Sequence, residues 1–492
     1  MNVPILIKRL KKHSVIKDIH QLSQETVTPV YLVGGAVRDL VMGIFPEKDF
    51  DFVIAHSPEK FARLFSRVVS GSIFTLSSNP PNYRVVFYRD NERIDVDFSE
   101  FRGDDINEDL IHRDFTVNAM AVLIDELFEK EGLKLYDPLK GEKDIDQRTL
   151  RITSFHSFDD DPLRILRAVR IAKARNFLID SSTKDEISRK RENLASVAPE
   201  RIRTEFFKTI SFAGAAESFS FFHELKLLSF LLPEITTCKI SKRGSDQRET
   251  PWELALKRVS WCEWVMQNLN KIFSKSQNYL GFHFAQEVEA DVERHSLLKL
   301  GCFLHNFNII EKNQNQNSVV SPSGNQDRLI EFSDRIAGRF KLGRKAKGTL
   351  RALLTKHNRI FRLFQVKEVK ERAFCQFFLE LGGDGLDLLV LCWADFVSCS
   401  PERFGSDLDL KIRGFLSRLA NYYVNEFLKN PPLPLISGSD IIQNFGLKEG
   451  KIIGVLLNQV RQAEAESTIS SRKEALLYVE NLIKNTTMEK LN

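Results

Sequence analysis

The run Tyr31-Leu32-Val33-Gly34-Gly35-Ala36-Val37-Arg38-Asp39, followed ten residues later by Asp49-Phe50-Asp51, constrains this chain more than any other stretch. Val30 to Val33 is apolar and β-branched and ends on a glycine pair, the pattern of a strand feeding a tight turn. Glycine permits so sharp a turn and leaves room for a phosphate to approach main-chain N–H groups. Ala36 to Met42 reads as a short helix whose N-terminus favours an anion beside Gly35, with Arg38 one turn in. Asp49 and Asp51 alternate with Phe50 and Phe52, so on a strand both carboxylates share one face. Two carboxylates on one face suit a divalent cation better than a core, although a solvated strand end would show the same spacing. The combination points to phosphoryl or nucleotidyl transfer.

With 492 residues the chain should hold more than one domain, because single cores rarely grow past ~250–300 residues. Its 71 basic against 66 acidic residues neither demand nor oppose a nucleic-acid partner. The six cysteines are scattered, without a CxxC pair, which argues against a disulfide framework or a cysteine zinc site. No run approaches the ~18–20 apolar residues of a membrane span, and Ile5 to Lys12 is basic and amphipathic with no signal-peptide core after it. The expectation is a soluble, cytoplasmic protein.

Residues 1–28 read as one leading amphipathic helix. Strand-like content then falls at 29–33, 50–54, 72–77, 83–89, 93–101 and 119–124, and after about residue 158 helical periodicity carries most of the remainder. Ser241 to Pro251, Asn313 to Gln326 and the Pro-Pro-Leu-Pro run at 431–434 read as loops or breaks. An α+β head with a long all-helical body is therefore expected.

Three further stretches carry chemistry. Arg93-Ile94-Asp95-Val96-Asp97-Phe98 alternates strictly, so Asp95 and Asp97 share a strand face, and either could add a third carboxylate to Asp49 and Asp51. In His112-Arg113-Asp114-Phe115-Thr116-Val117-Asn118-Ala119, Arg113 can reach a phosphate or sugar, while Asp114 and Asn118 can hydrogen-bond a ribose hydroxyl. Finally, Asp160-Asp161-Pro162-Leu163-Arg164 opens a helix with Pro162 in its first turn and Asp160 or Asp161 as cap. On it Arg164, Arg167 and Arg170 fall within an arc of about 120° on an otherwise apolar surface. Such a row is costly unless something anionic meets it, and an aspartate one turn ahead of an arginine offers what is needed to read a base edge. Asp137 to Ile145 reads as a turn and helix entry, without chemistry.

In order and spacing these blocks, with Pro199-Glu200-Arg201-Ile202-Arg203-Thr204-Glu205-Phe206, resemble the five motifs of class II tRNA nucleotidyltransferases and bacterial poly(A) polymerases. The resemblance implies a polymerase-β-like nucleotidyltransferase head at 1–150, with a mixed sheet and helices. It further implies a neck of base-reading and RNA-binding helices at 151–240, a helical body at 241–430 and a helical tail at 431–492. It implies Mg²⁺ as cofactor and CTP, ATP and the tRNA acceptor stem and 3′ end as partners, with no template, membrane or obligate protein partner. Asp49, Asp51 and Asp97 would hold the metal, Gly35 and Arg38 the triphosphate, and Arg113, Asp114 and Asn118 the ribose. Asp161 and Arg164 would read the base, backed by Arg167 and Arg170. The family pattern has Glu where this chain has Asp160 and usually Arg where it has His112.

The body is less explicit. Arg339 to Arg372 is basic enough for a phosphate track, or for a solvated face. Leu300 to Asn306 resembles the His-Asp core of a phosphohydrolase module, but Asn306 stands where the metal-binding aspartate would be, so it reads as a degenerate remnant. A poly(A) polymerase is the alternative function; Ser70 to Leu76 lacks the arginines its bacterial members carry there, which favours the tRNA enzyme. An inactive RNA-binding relative and a hydrolase acting through His305 are the remaining alternatives.

Overall fold

The computed structural model describes residues 3–78, 80–129, 134–236, 250–305, 307, 322–366, 369–430, 434–465 and 468–485. Two compact units are present, one of Met1–Glu205 with Leu225–Phe230 and one of Phe206–Glu224 with Leu231–Asn492.

The first unit is built on a six-stranded sheet in the order β3-β4-β5-β2-β1-β6. Its strands are β1 (Val30–Val33), β2 (Asp49–Ile54), β3 (Ser72–Ser78), β4 (Pro81–Arg89), β5 (Glu92–Glu100) and β6 (Ala121–Leu123). All six lie where period-two alternation and β-branched content placed them. β2 and β5 run parallel and the other pairs antiparallel, which makes the sheet mixed. Phe50, Phe52, Val96 and Phe98 point to the face covered by α4 (Pro58–Val68), and Phe98 meets Phe52, Phe61 and Phe65 at ring-centroid distances of 5.4–5.7 Å. Burying four aromatic and branched side chains on that face leaves the intervening aspartates on the other.

The leading segment is two helices, α1 (Val3–Lys12) and α2 (Ser14–Thr26), not one. His13 breaks it with extended backbone (φ −63°, ψ 130°) and lays its ring near Phe45 and Phe50. The kink lets Leu6 and Leu10 as well as Val15, Ile16 and Ile19 reach the core.

Glycine-rich connection and motif helices follow: α3 (Gly35–Val41), α5 (Ile106–Ile111), α6 (Ile124–Glu129) and α7 (Gly141–Asp146). The 137–145 block is structural. Asp137 accepts hydrogen bonds from the Gly141 and Glu142 N–H groups, and a Cβ on Gly141 would come within 2.2 Å of the Thr116 carbonyl oxygen. Only glycine lets α7 close on the 116–118 turn that carries Asn118. Downstream, β7 (Thr149–Leu150) pairs with β8 (Leu178–Ile179) around α8 (Ser157–Asp160) and α9 (Arg164–Arg175). α9 begins later than expected: Asp161 is extended (φ −149°, ψ 100°), Pro162 precedes the helix, and the Asp161 carboxylate accepts from the Leu163 N–H.

Among its described residues the second unit is helical apart from a small hairpin, Glu287–Glu289 with Val292–Glu293. Its longer helices include Pro251–Gln267, Arg294–Leu304, Arg344–Lys356 and Asp384–Ser398, with Trp393 fully buried. Helices Gly438–Phe445, Lys451–Ala465 and Arg472–Asn485 share a core of Ile441, Leu456, Val460 and Val479. Most of the stretches 241–251 and 313–326 lies outside the described residues, as do Asn306, Pro431 and Pro432. Residues 322–326, expected as loop, open the helix Pro322–Arg339. In the basic 339–372 stretch, Arg339, Arg351 and Arg359 pair with Glu234, Asp334 and Glu380, so part of its charge is met internally.

Candidate active site

At the end of β1, Gly34 takes φ +74° and ψ −139°, a conformation that side-chain-bearing residues rarely adopt. A Cβ there would also lie 3.0 Å from Oδ2 of Asp51. The first glycine of the pair is thus the one the turn requires; a Cβ on Gly35 would meet only ordinary contacts with Arg38.

Strand register sets the acids. Asp49 faces Asp95 and Asp51 faces Asp97 across the parallel β2–β5 pair, so all four carboxylates share the face turned away from α4. The row continues outward, with Asp97 opposite Arg84 on β4 and Arg84 opposite Phe74 on β3. Arg84 grips Asp97 with both prongs (Nε–Oδ1 2.7 Å, Nη2–Oδ2 2.8 Å), while Arg93 holds Asp95 (2.7 and 3.0 Å). Asp97 is thus level with Asp51, and Asp95 with Asp49. Among the described residues no three possible ligands are already drawn together as a metal centre.

Loss of water neighbours, then the charges of Asp97 and Asp49, push the Asp51 carboxyl up to about 6, against the pull of Arg113 and Arg167. Solvent still reaches this side chain, so water and salt temper the field it feels. A carboxylate reluctant to ionise beside two others, facing two guanidinium groups, is a site short of positive charge. Oxygen donors alone make up the set, which fits a hard divalent cation.

Behind the acids runs a chain of charged hydrogen bonds. Arg38 donates to Asp39 (2.9 and 2.8 Å) and to Asn118 Oδ1 (2.9 Å); Asn118 donates to Asp114 Oδ1 (3.1 Å); and Arg167 lies 3.0 Å from Asp114 Oδ2. Arg175 adds two bonds to Asp39 (2.9 and 2.7 Å). Burial works to raise the Asp114 carboxyl, but Arg167, Asn118, Arg164 and the Phe115 N–H together hold it below the ordinary range. Arg113 is anchored on Asp109 (3.0 and 2.9 Å). Thus Asn118 and Asp114 tie the glycine turn to α9.

Each arginine of the α9 row meets an acceptor of the protein's own. Arg164 is 5% exposed, and its Nη groups donate to the carbonyls of His112, Arg113 and Ser157 and to Ser157 Oγ at 3.0–3.3 Å. Arg170 donates to Glu205 at 2.6 Å. Asp161 accepts from Arg201 at 2.9 Å. The structure accordingly sets Asp49, Asp51 and Asp97 on one sheet face, with Arg113 and Arg167 near enough to act on Asp51, and links Arg167 through Asp114 and Asn118 to Arg38 beside Gly35. It does not set Asp161 and Arg164 side by side toward that face. Sequence reasoning passed over Arg84, Asp39, Asp109 and Arg175; only Asp39, adjacent to Arg38 in the first motif, carried a signal.

In the second unit His305 is buried, its ring 3.9 Å from that of His357 and its Nε2 3.7 Å from Asp395. Burial and the neighbouring His357 push it down to about 3 despite Asp395, leaving a neutral imidazole sealed from solvent. That arrangement suits packing better than hydrolysis; Asn306 lies outside the described residues.

Residues 30–151 match the family described as the poly A polymerase head domain, and residues 176–239 match the probable RNA and SrmB-binding site of polymerase A. The chain is 28% identical to a CC-adding tRNA nucleotidyltransferase of Geobacter sulfurreducens, over 91% of each protein. It is 26% identical to an A-adding tRNA nucleotidyltransferase of Deinococcus radiodurans, over 92% of this chain and 96% of that one. Its fold resembles the Thermotoga maritima CCA-adding enzyme solved with tRNA, with a TM-score of 0.54 and 21% identity over 98% of this chain and 99% of the other.

Proposed function

Because this chain belongs to the family of class II tRNA nucleotidyltransferases and bacterial poly(A) polymerases, we propose that it adds C, A or both to the 3′ end of tRNA from CTP and ATP, without a template. The observation that carries the reading is the alignment of Asp51 with Asp97 on parallel strands, on a face that also feels Arg113 and Arg167.

Asp49, Asp51 and Asp97 would hold the divalent metal, Mg²⁺ in our reading. When bound, it supplies positive charge to the attacking and leaving oxygens. In the reaction the terminal 3′-hydroxyl attacks the α-phosphorus, the bond to the β-phosphate breaks, pyrophosphate leaves and the hydroxyl proton ends in solvent. Arg113 and Arg167 are the cations best placed to receive the triphosphate, with Gly35 and Arg38 at the turn behind them. Asp114 and Asn118 hold those groups in register and orient the ribose. Base choice is assigned to Asp161 and Arg164, with Arg170 supporting the helix; for this Arg164 has to turn from the backbone carbonyls it now serves to the nucleobase. A wrong base would leave those polar groups unpaired, the strongest form of discrimination open to such a site.

The relatives named above add C in one case and A in the other, so the two activities are separated by experiment. The protein is incubated with tRNAs ending before the CCA triplet, after C and after CC, each with one labelled nucleotide, beside a generic RNA oligomer. Addition confined to the tRNAs supports the proposal. Processive A addition to the oligomer would instead identify a poly(A) polymerase, and no addition an inactive RNA-binding relative. A cytoplasmic location fits a tRNA substrate; among the described residues no cysteine is joined in a disulfide and no helix is long and apolar enough to cross a membrane.

A further inference from the structure

We propose that Arg84 is the resident counter-ion of Asp97, a positioning residue that the divalent metal must displace and that therefore sets how much metal the site requires. This rests on the reading of Asp49, Asp51 and Asp97 as the metal site. The geometry is specific. Arg84 and Asp97 are register partners on β4 and β5, both carboxylate oxygens are taken by the fork at 2.7 and 2.8 Å, and the remaining Nη1 sits 3.5 Å from Asp95. A carboxylate held in that way keeps its spare lone pairs, but a cation at the usual ~2.0–2.6 Å from those oxygens would stand one carboxylate away from a guanidinium. Like charges at that separation repel, so the fork yields as the metal enters.

Arg84 has somewhere to go. Its side chain is 36% exposed, and its outer register partner Phe74, 53% exposed, presents an aromatic face along the same side of the sheet. An arginine leaving a carboxylate beside an open aromatic ring gains a cation–π contact in its place. With Arg84 engaged, both oxygens of Asp97 are already held; with Arg84 released, Asp97 and the Asp51 it faces are both available to metal.

The test is Mn²⁺ binding to the full-length protein, followed by electron paramagnetic resonance, with thermal melting in parallel. Asp51→Asn serves as the control for the site itself. Removing a partly exposed charged pair predicts roughly 3- to 10-fold tighter Mn²⁺ binding for Arg84→Met, with Arg84→Lys between it and the wild type. The metal-free Arg84→Met protein should melt lower than wild type, and saturating Mn²⁺ should close that gap. Equal or weaker Mn²⁺ binding by a folded Arg84→Met protein would overturn the proposal, because the arginine would then be neutral toward the ligand or would support it. Should Arg84→Met not fold, the Arg84 Nε–H resonance of the wild-type protein decides: Mg²⁺ should shift it and speed its solvent exchange, and an unmoved signal overturns the idea. Wild type that binds no Mn²⁺, or Asp51→Asn that binds it as well as wild type, would defeat the metal reading itself.

Discussion

Arg175 closes both prongs of its guanidinium on Asp39, a residue 136 positions earlier in the chain. The contact joins the end of α9 to the short helix after the glycine turn, and through Arg38 and Asn118 it continues to Asp114 and Arg167. The site is therefore positioned by a line of charged groups rather than by any one loop. Because Asp39 also accepts from Arg38, Asp39→Asn should weaken two charged contacts at once. A loss of about 1–3 kcal/mol is expected from unpairing a charged hydrogen-bonded group, read by urea denaturation. Nucleotide addition should fall with it, since Arg38 and Arg167 lose their common frame.

Asp51→Ala should abolish nucleotide addition while tRNA binding stays within a few fold. The carboxylate is charge at the reaction centre, whereas RNA affinity is dominated by phosphate contacts elsewhere. Gel-shift and single-turnover assays on one preparation check both halves, and extension at the wild-type rate would remove Asp51 from the site.

The raised Asp51 carboxyl gives a pH dependence with a definite sign. Its ordinary value is 3.8 and in the fold it stands at about 6, so the folded, metal-free protein holds this proton to higher pH than the unfolded chain does. The ionised form therefore costs stability, a cost that is absent below the ordinary value and complete above about 6. Asp51→Asn should melt higher than the metal-free wild type at pH 8, and the difference should fade between pH 6 and 4. Divalent metal, which needs the ionised form, should stabilise wild type more at pH 8 than at pH 5. Scanning calorimetry across that range, with and without Mg²⁺, tests both signs.

Arg164→Ala is expected to act twice. It should blur selection against UTP and GTP more than it slows addition at saturating nucleotide, as a base-reading role requires. It should also destabilise the fold by about 1–3 kcal/mol, because three backbone carbonyls, that of Ser157 buried and those of His112 and Arg113 part-buried, lose a charged donor. Unchanged selectivity beside the expected stability loss would leave Arg164 as a brace only.

Gly34→Ala should be more harmful than Gly35→Ala. At Gly34 the backbone has φ +74° and the added methyl would press on Asp51 at 3.0 Å, whereas at Gly35 it meets only Arg38 at 3.5 Å or beyond. A strained backbone of this kind costs on the order of 1–3 kcal/mol, and displacement of Asp51 should lower Mn²⁺ affinity as well.

The order of residues alone determined what depends on near neighbours. Six strands were legible because apolar and polar positions alternate, and alternation decides which side of a sheet a residue takes whatever packs against it. For the same reason Asp49 could be placed with Asp51, and Asp95 with Asp97, on one face of a strand, and the five motif blocks could be matched to a family. Tertiary structure decided which charge meets which. That Asp97 lies level with Asp51, that Arg84 holds it, that Arg164 turns inward to three carbonyls and that Arg175 finds Asp39 all depend on strands and helices meeting across 7 to 136 residues. A guanidinium reaches any acceptor within its long flexible stem, so spacing along a helix shows the side it leaves from and not the partner it takes. The break at His13 has the same cause: nothing adjacent stops that helix, and the aromatic rings it packs near, Phe45 and Phe50, arrive from more than thirty residues away.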